Sequence, residues 1–179
     1  MTMKANGYRI LIIGSSGSGK STLAKQLSDK LGVEHVELDS FFFKEKWVER
    51  DFEDFKKRVI QQINKSQEWV IDGNYSSLRE VYMPKVNYII CLDYSLPRIL
   101  LQLIPRTLRR ALFRERICNG NVESFRKSFL SKQSLILYTI NTYERRRMQF
   151  KELEKMSHVP FIRISHPKYL KETLQMLFI

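Results

Sequence analysis

The sequence predicts an α/β fold, a three-layer sandwich in which helices cover both faces of a parallel sheet. Two observations support this prediction. Short apolar segments alternate along the 179 residues with segments of helical periodicity. The apolar segments are also unbroken rather than alternating with polar residues, which is typical of strands buried on both faces. Because no repeat or linker divides the chain, we expect residues 1–179 to form one domain.

Five segments have the composition of buried strands, since each is short and mostly apolar. In chain order they are residues 8–13, 33–38, 69–71, 86–92 and 159–164. Polar or flexible residues follow them, namely Gly14 after the first, Asp39 after the second and Asp72 after the third. In open α/β sheets ligands bind beyond the carboxyl ends of the strands, so these positions are candidates for a site.

The first predicted helix begins near Lys20. Its apolar residues Leu23, Ala24 and Leu27 recur on one helical face, and Gly32 is a typical stop signal. A second helix is predicted to begin at the capping residue Asp51.

The carboxyl-terminal half contains two further predicted helices. One spans residues 122–155, and its length suggests a bend or a break. The closing helix spans residues 167–176, with Pro167 at the favourable first position. The inner face of the long helix is predicted to contain Phe125, Phe129, Ile136, Ile140 and Tyr143.

A complete phosphate-binding motif, G-x-x-x-x-G-K-[ST], lies between the first strand and the first helix. Its residues are Gly14, Ser15, Ser16, Gly17, Ser18, Gly19, Lys20 and Ser21, and Thr22 follows as a further candidate contact. Glycines allow backbone amides to approach phosphates, and the helix directs its positive end toward them. We expect Lys20 to bind the β- and γ-phosphates of ATP and the Ser21 hydroxyl to bind Mg²⁺.

Two strand-terminal carboxylates compete for a role beside the magnesium ion. Asp72 and Asp93 each end an apolar strand, and only a strand that neighbours the first strand can reach the metal. We favour Asp72, and the alternative for Asp93 is a cap on the following turn. Asp39 is a candidate to accept a proton from an acceptor hydroxyl or to order a metal-bound water, with an ordinary turn residue as the alternative.

Arginines are concentrated in residues 97–121, where Glu115 is the single acidic residue. They are Arg98, Arg106, Arg109, Arg110, Arg114 and Arg116, and Arg145, Arg146 and Arg147 follow on the long helix. Arginine can stabilise the charge of a transferring phosphoryl group, and the candidates are Arg106, Arg110, Arg114 and Arg146. The alternatives are a solvated basic face, contacts with nucleic-acid phosphates, and a membrane surface bound by residues 96–113.

The composition limits the possible partners and location. The net charge of +12 favours anionic partners without choosing among them. No apolar segment is long enough to span a bilayer, and residues 1–7 do not resemble a signal peptide, so a cytoplasmic location without membrane binding is expected. The two cysteines and three histidines show no spacing typical of a metal site.

Three segments together resemble the bacterial DNA topology modulation protein family. They are the phosphate loop, Leu38-Asp39 with residues 47–50, and residues 69–76, which contain Asp-Gly-Asn-Tyr after a strand. That family looks like a branch of the adenylate-kinase-like P-loop kinases, which also include shikimate and gluconate kinases. The resemblance covers most of the chain and weakens after about Gly120.

The resemblance implies five parallel strands in the order 2-3-1-4-5. It also implies that residues 40–66 form an acceptor-binding flap and residues 105–122 a lid. Asp72-Gly73 is similar to the Asp-Gly of adenylate kinases, whose aspartate orders a magnesium-bound water. Where those kinases continue with Phe-Pro-Arg, this chain has Asn74-Tyr75-Ser76. The acceptor-binding residues that the resemblance implies are Asp39, Arg50, Gly73, Asn74 and Arg79.

Two functional hypotheses follow. The first is a kinase that transfers the γ-phosphoryl group of Mg²⁺-bound ATP to a small-molecule or nucleotide acceptor. The second is a nucleic-acid-binding regulator that uses ATP as a switch, which the positive charge favours and the missing aromatic stacking platform does not. The acceptor and the oligomeric state stay open.

Overall fold

The computed structural model describes residues 7–130 and 134–178. Within them lie seven strands. These are β1 (Arg9–Gly14), β2 (Glu34–Glu37), β3 (Trp69–Asp72), β4 (Tyr88–Leu92), β5 (Arg116–Ile117), β6 (Asn121–Val122) and β7 (Phe161–Ile164). Most of the N-terminal segment on which the signal-peptide expectation depends lies outside the described residues.

Five of the strands form one parallel sheet in the order β2-β3-β1-β4-β7. The predicted order is therefore confirmed, because β7 is the fifth apolar segment of the sequence. The short strands β5 and β6 pair with each other as an antiparallel hairpin outside the sheet.

The helices within the described residues cover both faces of this sheet. They are α1 (Lys20–Leu31), α2 (Leu38–Phe42), α3 (Phe52–Lys65), α4 (Arg79–Tyr82), α5 (Leu96–Phe113), α6 (Phe125–Leu130), α7 (Leu135–Met156) and α8 (Leu170–Phe178). Asp51 caps α3 as predicted, since its side chain accepts hydrogen bonds from the amides of Glu53 and Asp54. Pro167 begins a 3₁₀ turn that leads into α8.

Alternate residues of the central strands fill two separate cores. Leu11 and Ile13 pack with Phe55 of α3 on one face. Ile10 and Ile12 pack with residues of α1 on the other face. Successive side chains of a strand point to opposite faces, so a strand buried on both sides must be apolar throughout. Burial of the strands on both faces of the sheet therefore explains the unbroken apolar segments of the sequence.

Two local predictions need correction, and the basic segment, for which no element is predicted, forms a helix. The second strand ends at Glu37, and α2 begins at once, so Asp39 lies in the first turn of a helix rather than at a strand end. The basic segment contains the 18-residue helix α5, which continues through the exposed Pro105. Its buried residues Ile99 and Leu103 anchor the turns that precede the proline.

The long predicted helix is two helices, α6 and α7, and residues 131–133 between them lie outside the described residues. Ser134 caps α7 by accepting a hydrogen bond from the amide of Ile136. Its predicted inner face is only partly right, because Tyr143 is buried whereas Phe125 and Ile140 are exposed. Within the described residues no helix has the length and hydrophobicity that a membrane crossing requires.

Candidate active site

The phosphate-binding motif connects the end of β1 to the start of α1, as its sequence predicts. Gly17 and Gly19 have φ angles of +84° and +93°, which turn the loop so that it leads into the helix. An added Cβ at Gly19 would meet no atom within 4 Å, so open space lies at the amino end of α1. The Ser18 hydroxyl is buried and has no hydrogen-bond partner among the described residues. These features fit an anion held by the loop.

Replacing Gly17 by alanine is expected to lower the free energy of unfolding by about 2–4 kcal/mol. The left-handed φ disfavours any Cβ, and this Cβ would also lie 2.8 Å from Cβ of Leu103 in α5. Gly32→Ala is the matched control, since Gly32 has a φ of +69° with open space around its Cβ position. Urea unfolding should show a clearly larger loss for Gly17→Ala, and equal losses would contradict tight packing of the loop against α5.

Lys20 is the residue on which the predicted site converges. Its Nζ lies 3.4 Å from the carbonyl oxygen of Ser15. Burial lowers the pKa of this ammonium, the carboxylates of Asp39 and Asp72 raise it, and Arg106 and Arg146 lower it further. Residues from the end of β3, from α2, from α5 and from α7 therefore act electrostatically on one amino group.

The Ser21 hydroxyl donates a hydrogen bond of 2.5 Å to Oδ2 of Asp72. Asp72 is only 3% exposed, and its Oδ1 lies 3.0 Å from Nε2 of His35. Because the Ser21 proton points to the carboxylate, the oxygen lone pairs of Ser21 are left to accept another group.

Topology alone does not separate Asp72 from Asp93, because β3 and β4 both flank β1. Their contacts do separate them. Asp93 forms ion pairs with Arg147 at 3.2 Å and with Arg163 at 2.6 Å. Asp93 is thus neutralised by two arginines on the α7 and β7 side, whereas Asp72 faces the phosphate loop.

Ser21 and Asp72 are the protein groups that could hold a magnesium ion beside the phosphate loop. Within residues 7–130 and 134–178, no group of three or more His, Cys, Asp or Glu side chains is arranged to hold a metal ion. Mg²⁺ characteristically takes one or two protein ligands together with phosphate oxygens and water. Ser21 and Asp72 supply such a sparse set at the amino end of α1.

The Asn74 side chain is bound to the start of the phosphate loop. Its Nδ2 donates to the carbonyl oxygen of Gly14 at 2.7 Å, and its Oδ1 accepts from the Gly14 amide at 3.4 Å. Arg146 donates to the carbonyl oxygen of Asn74 at 3.3 Å and contacts the Tyr138 hydroxyl at 3.0 Å. Gly73 packs against Leu38 of α2, where an added Cβ would lie 2.9 Å from the leucine Cβ.

Asp39 is exposed, and its Oδ1 accepts a hydrogen bond of 2.7 Å from the Tyr75 hydroxyl. Burial, together with the Asp39 charge, raises the pKa of Tyr75 above its usual value, so Tyr75 stays a hydrogen-bond donor. Arg50 is committed to the protein itself, since it donates to the Phe41 carbonyl oxygen at 2.8 Å and pairs with Asp54 at 3.3 Å. The half-buried Arg79 begins α4.

The candidate arginines of α5 lie in different surroundings. Arg106 has a buried Nε without a hydrogen-bond partner among the described residues, and burial lowers its pKa. Arg110 pairs with Glu123 at 3.2 Å. Arg114 is exposed at the carboxyl end of the helix, with a φ of +48°. Arg106 and Arg146 thus act electrostatically on Lys20, whereas Arg110 is paired with Glu123 and Arg114 faces solvent.

The β5–β6 hairpin is attached to the segment that follows α2. Asn119 donates to the carbonyl oxygens of Ser40 and Phe43, and Asn121 donates to that of Lys44. Trp47 donates its amide to Oδ1 of Asn121 and its indole nitrogen to the Val122 carbonyl oxygen. We name these five hydrogen bonds the hairpin clasp.

Sequence reasoning missed His35 and the residues of the hairpin clasp. His35 shows a weak signal, because strand alternation places it on the same sheet face as Asp72. Each hydrogen bond of the clasp joins two residues that are separated by 74 to 79 positions in the sequence. Such contacts cannot be predicted from a local sequence pattern.

The sequence is similar to a known protein family and to curated kinases. A family model described as AAA domain matches residues 10–124. The shikimate kinase of Caldicellulosiruptor saccharolyticus is 28% identical over 106 residues, which are 52% of this chain and 62% of that protein. The cytidylate kinase of Onion yellows phytoplasma is 48% identical over 40 residues, which are 22% of this chain and 18% of that protein. The chain therefore spans less than two thirds of the length of these curated relatives.

A solved gluconokinase from Sinorhizobium meliloti superimposes with a TM-score of 0.54 over 95% of this chain and 88% of its own, at 16% identity. This likeness shows a shared fold. Since the family model covers more than half of the sequence, from β1 through the hairpin, the chain belongs to the AAA domain family.

Proposed function

We propose that this protein is a P-loop kinase that transfers the γ-phosphoryl group of Mg²⁺-bound ATP to a small acceptor. The observation that carries the proposal is the phosphate loop at the amino end of α1, with open space at Gly19 and a hydrogen bond from Ser21 to Asp72. The charges of Asp39, Asp72, Arg106 and Arg146 all act on Lys20 of the same loop. The similarity to proteins named shikimate kinase and cytidylate kinase supports the same reaction class. Phosphoryl transfer needs mainly positioning and charge neutralisation, and this residue set can supply both.

The nucleotide phosphates would occupy the open space at Gly19. Backbone amides of residues 14–19 and the amino end of α1 would face the phosphate oxygens. Lys20 would exchange its weak contact with the Ser15 carbonyl, at 3.4 Å, for stronger bonds to the β- and γ-phosphates. Thr22 is exposed on the first turn of α1, next to the same phosphates.

Ser21 and Asp72 would hold magnesium between them and the phosphates. When bound, the ion would supply positive charge that neutralises the phosphates. Ser21 is prepared for this role because its proton is already donated to Asp72 at 2.5 Å. Asp72 would hold the ion directly or through a water molecule.

The acceptor hydroxyl would bind at Asp39. Tyr75 occupies Oδ1 of this carboxylate, and Oδ2 has no partner among the described residues. Oδ2 can therefore accept the acceptor proton or orient the hydroxyl toward the γ-phosphate. Because Arg50 is already bound to Phe41 and Asp54, Arg79 is the better candidate for an acidic group of the acceptor.

Arg106 and Arg146 would stabilise the transferring phosphoryl group. Arg106 presents a desolvated guanidinium whose Nε is unpartnered among the described residues. Phosphate oxygens are the bidentate acceptors that such a group lacks. Residues 105–122 would act as the lid and residues 40–66 as the acceptor flap, and the hairpin clasp already joins these two segments.

Incubation of the purified protein with Mg²⁺ and ATP is expected to release ADP faster in the presence of one small acceptor. The test compares nucleoside monophosphates, hydroxy acids and sugars, with duplex DNA as a separate arm, in a coupled assay for ADP. Stimulation by one small compound of at least about tenfold would establish the kinase and its substrate class. Release that depends on DNA alone would instead favour an ATP-dependent nucleic-acid regulator, and its salt dependence would then be steep.

A further inference from the structure

We propose that His35 is a positioning residue that sets Asp72 for Mg²⁺-dependent nucleotide binding. Its Nε2 lies 3.0 Å from Oδ1 of Asp72, while Ser21 donates to Oδ2 at 2.5 Å. The inference rests on the proposed use of Mg²⁺-bound ATP and goes beyond it, because it adds to the site a residue from the edge strand β2.

The fold places His35 beside Asp72 through the sheet register. His35 pairs with Val70 in the β2–β3 ladder, and Glu37 pairs with Asp72. Val36, between them, is fully buried in the core on the opposite face. His35 therefore projects from the α1 face of the sheet, and its ring reaches along the strand direction toward the carboxyl end of β3.

The two contacts fix both oxygens of a carboxylate that is only 3% exposed. A carboxylate held at one oxygen alone can rotate about its bond to Cβ, and Oδ2 then leaves the Ser21 hydroxyl. With the imidazole N–H on Oδ1, Oδ2 stays directed to Ser21, and the serine lone pairs stay directed to the phosphate side. Partners of this kind commonly change metal affinity by about 10–100-fold when they are removed.

The experiment measures the dissociation constant of a fluorescent ATP analogue, without Mg²⁺ and over a series of Mg²⁺ concentrations. It compares the full-length wild type with His35→Ala and His35→Gln. The Gln variant restores an N–H donor near the position of Nε2. His158→Ala is the matched control, because His158 is exposed and lies away from the loop. Circular dichroism and a thermal melt check that each variant folds.

The expected result is that His35→Ala requires about tenfold more Mg²⁺ to strengthen nucleotide binding. Its affinity in the absence of Mg²⁺ should stay within about twofold of wild type, and His35→Gln should recover most of the Mg²⁺ response. An unchanged Mg²⁺ requirement in His35→Ala would overturn the inference, as would a Gln variant as impaired as the Ala variant. If His35→Ala does not fold, His35→Leu replaces it, because leucine keeps much of the bulk of the ring without an N–H donor, and its Mg²⁺ requirement decides. A wild type whose nucleotide binding ignores Mg²⁺ would instead overturn the proposed function itself.

Discussion

Lys20→Ala is expected to lower ADP release in the presence of Mg²⁺ and the acceptor by roughly 10²–10³-fold. Asp39, Asp72, Arg106 and Arg146 all act electrostatically on this ammonium, and alanine would leave the first residue of α1 without a charge. Its charge is needed most when negative charge shifts onto the β–γ bridge during transfer. Steady-state kinetics over a range of ATP concentrations would measure the loss in kcat separately from that in KM.

Lys25→Ala is the matched control for this substitution. Lys25 lies on the same helix but is exposed, and its partner is Asp29 at 3.0 Å. Exposed pairs of this kind contribute little, so turnover should stay within about twofold. The Lys20 variant should keep its fold by circular dichroism, because its side chain makes one weak contact with the loop. Wild-type turnover in a folded Lys20→Ala protein would refute the kinase assignment.

Arg106→Met is expected to reduce turnover by roughly 10²–10³-fold while leaving stability unchanged or higher. Methionine keeps most of the apolar stem of the arginine but removes the guanidinium. In the absence of a phosphate that group is buried with an unpartnered Nε, and burial lowers its pKa. Such a group costs free energy in the folded state and is retained for what it binds. Urea unfolding and ADP release on the same preparation measure both effects.

Arg109→Met provides the comparison on the same helix. Arg109 is 64% exposed and pairs with Glu115 at 3.0 Å, so neither turnover nor stability should change by more than a small factor. A loss of activity shared by both variants would point to a general effect of charge on α5. A loss of stability in Arg106→Met alone would mean that Arg106 serves the fold and not the phosphoryl group.

The elements that sequence predicts well are those whose signals are local. The phosphate loop, the strand before it and the helix after it are encoded in adjacent residues. The start of α3 is likewise predicted from one residue, the capping Asp51. The sheet order came from resemblance to known kinases, since strand order is not written in any single segment. The contrast between Asp72 and Asp93 needed side-chain contacts, because both strands flank β1.

The elements that sequence predicts poorly depend on distant contacts. The sequence predicts Asp39 at a strand end, but α2 begins at Leu38, a buried residue that packs against the distant Gly73. Arg50 looked available for an acceptor, and its commitment to Phe41 and Asp54 is visible only in three dimensions. Proline disfavours a helix interior, yet α5 continues through Pro105, with Leu103 and Thr107 buried on either side of it.

The hairpin clasp has a thermodynamic consequence for the edge of the site that it covers. Five hydrogen bonds between the β5–β6 hairpin and residues 40–47, each contributing roughly 0.5–1.5 kcal/mol, are broken together when the two segments separate. The two segments therefore share one free energy of opening and behave as a single cooperative unit of local unfolding. A molecule bound behind this edge would have to wait for that unit to open, so its residence time would depend on the backbone carbonyls of residues 40, 43 and 44.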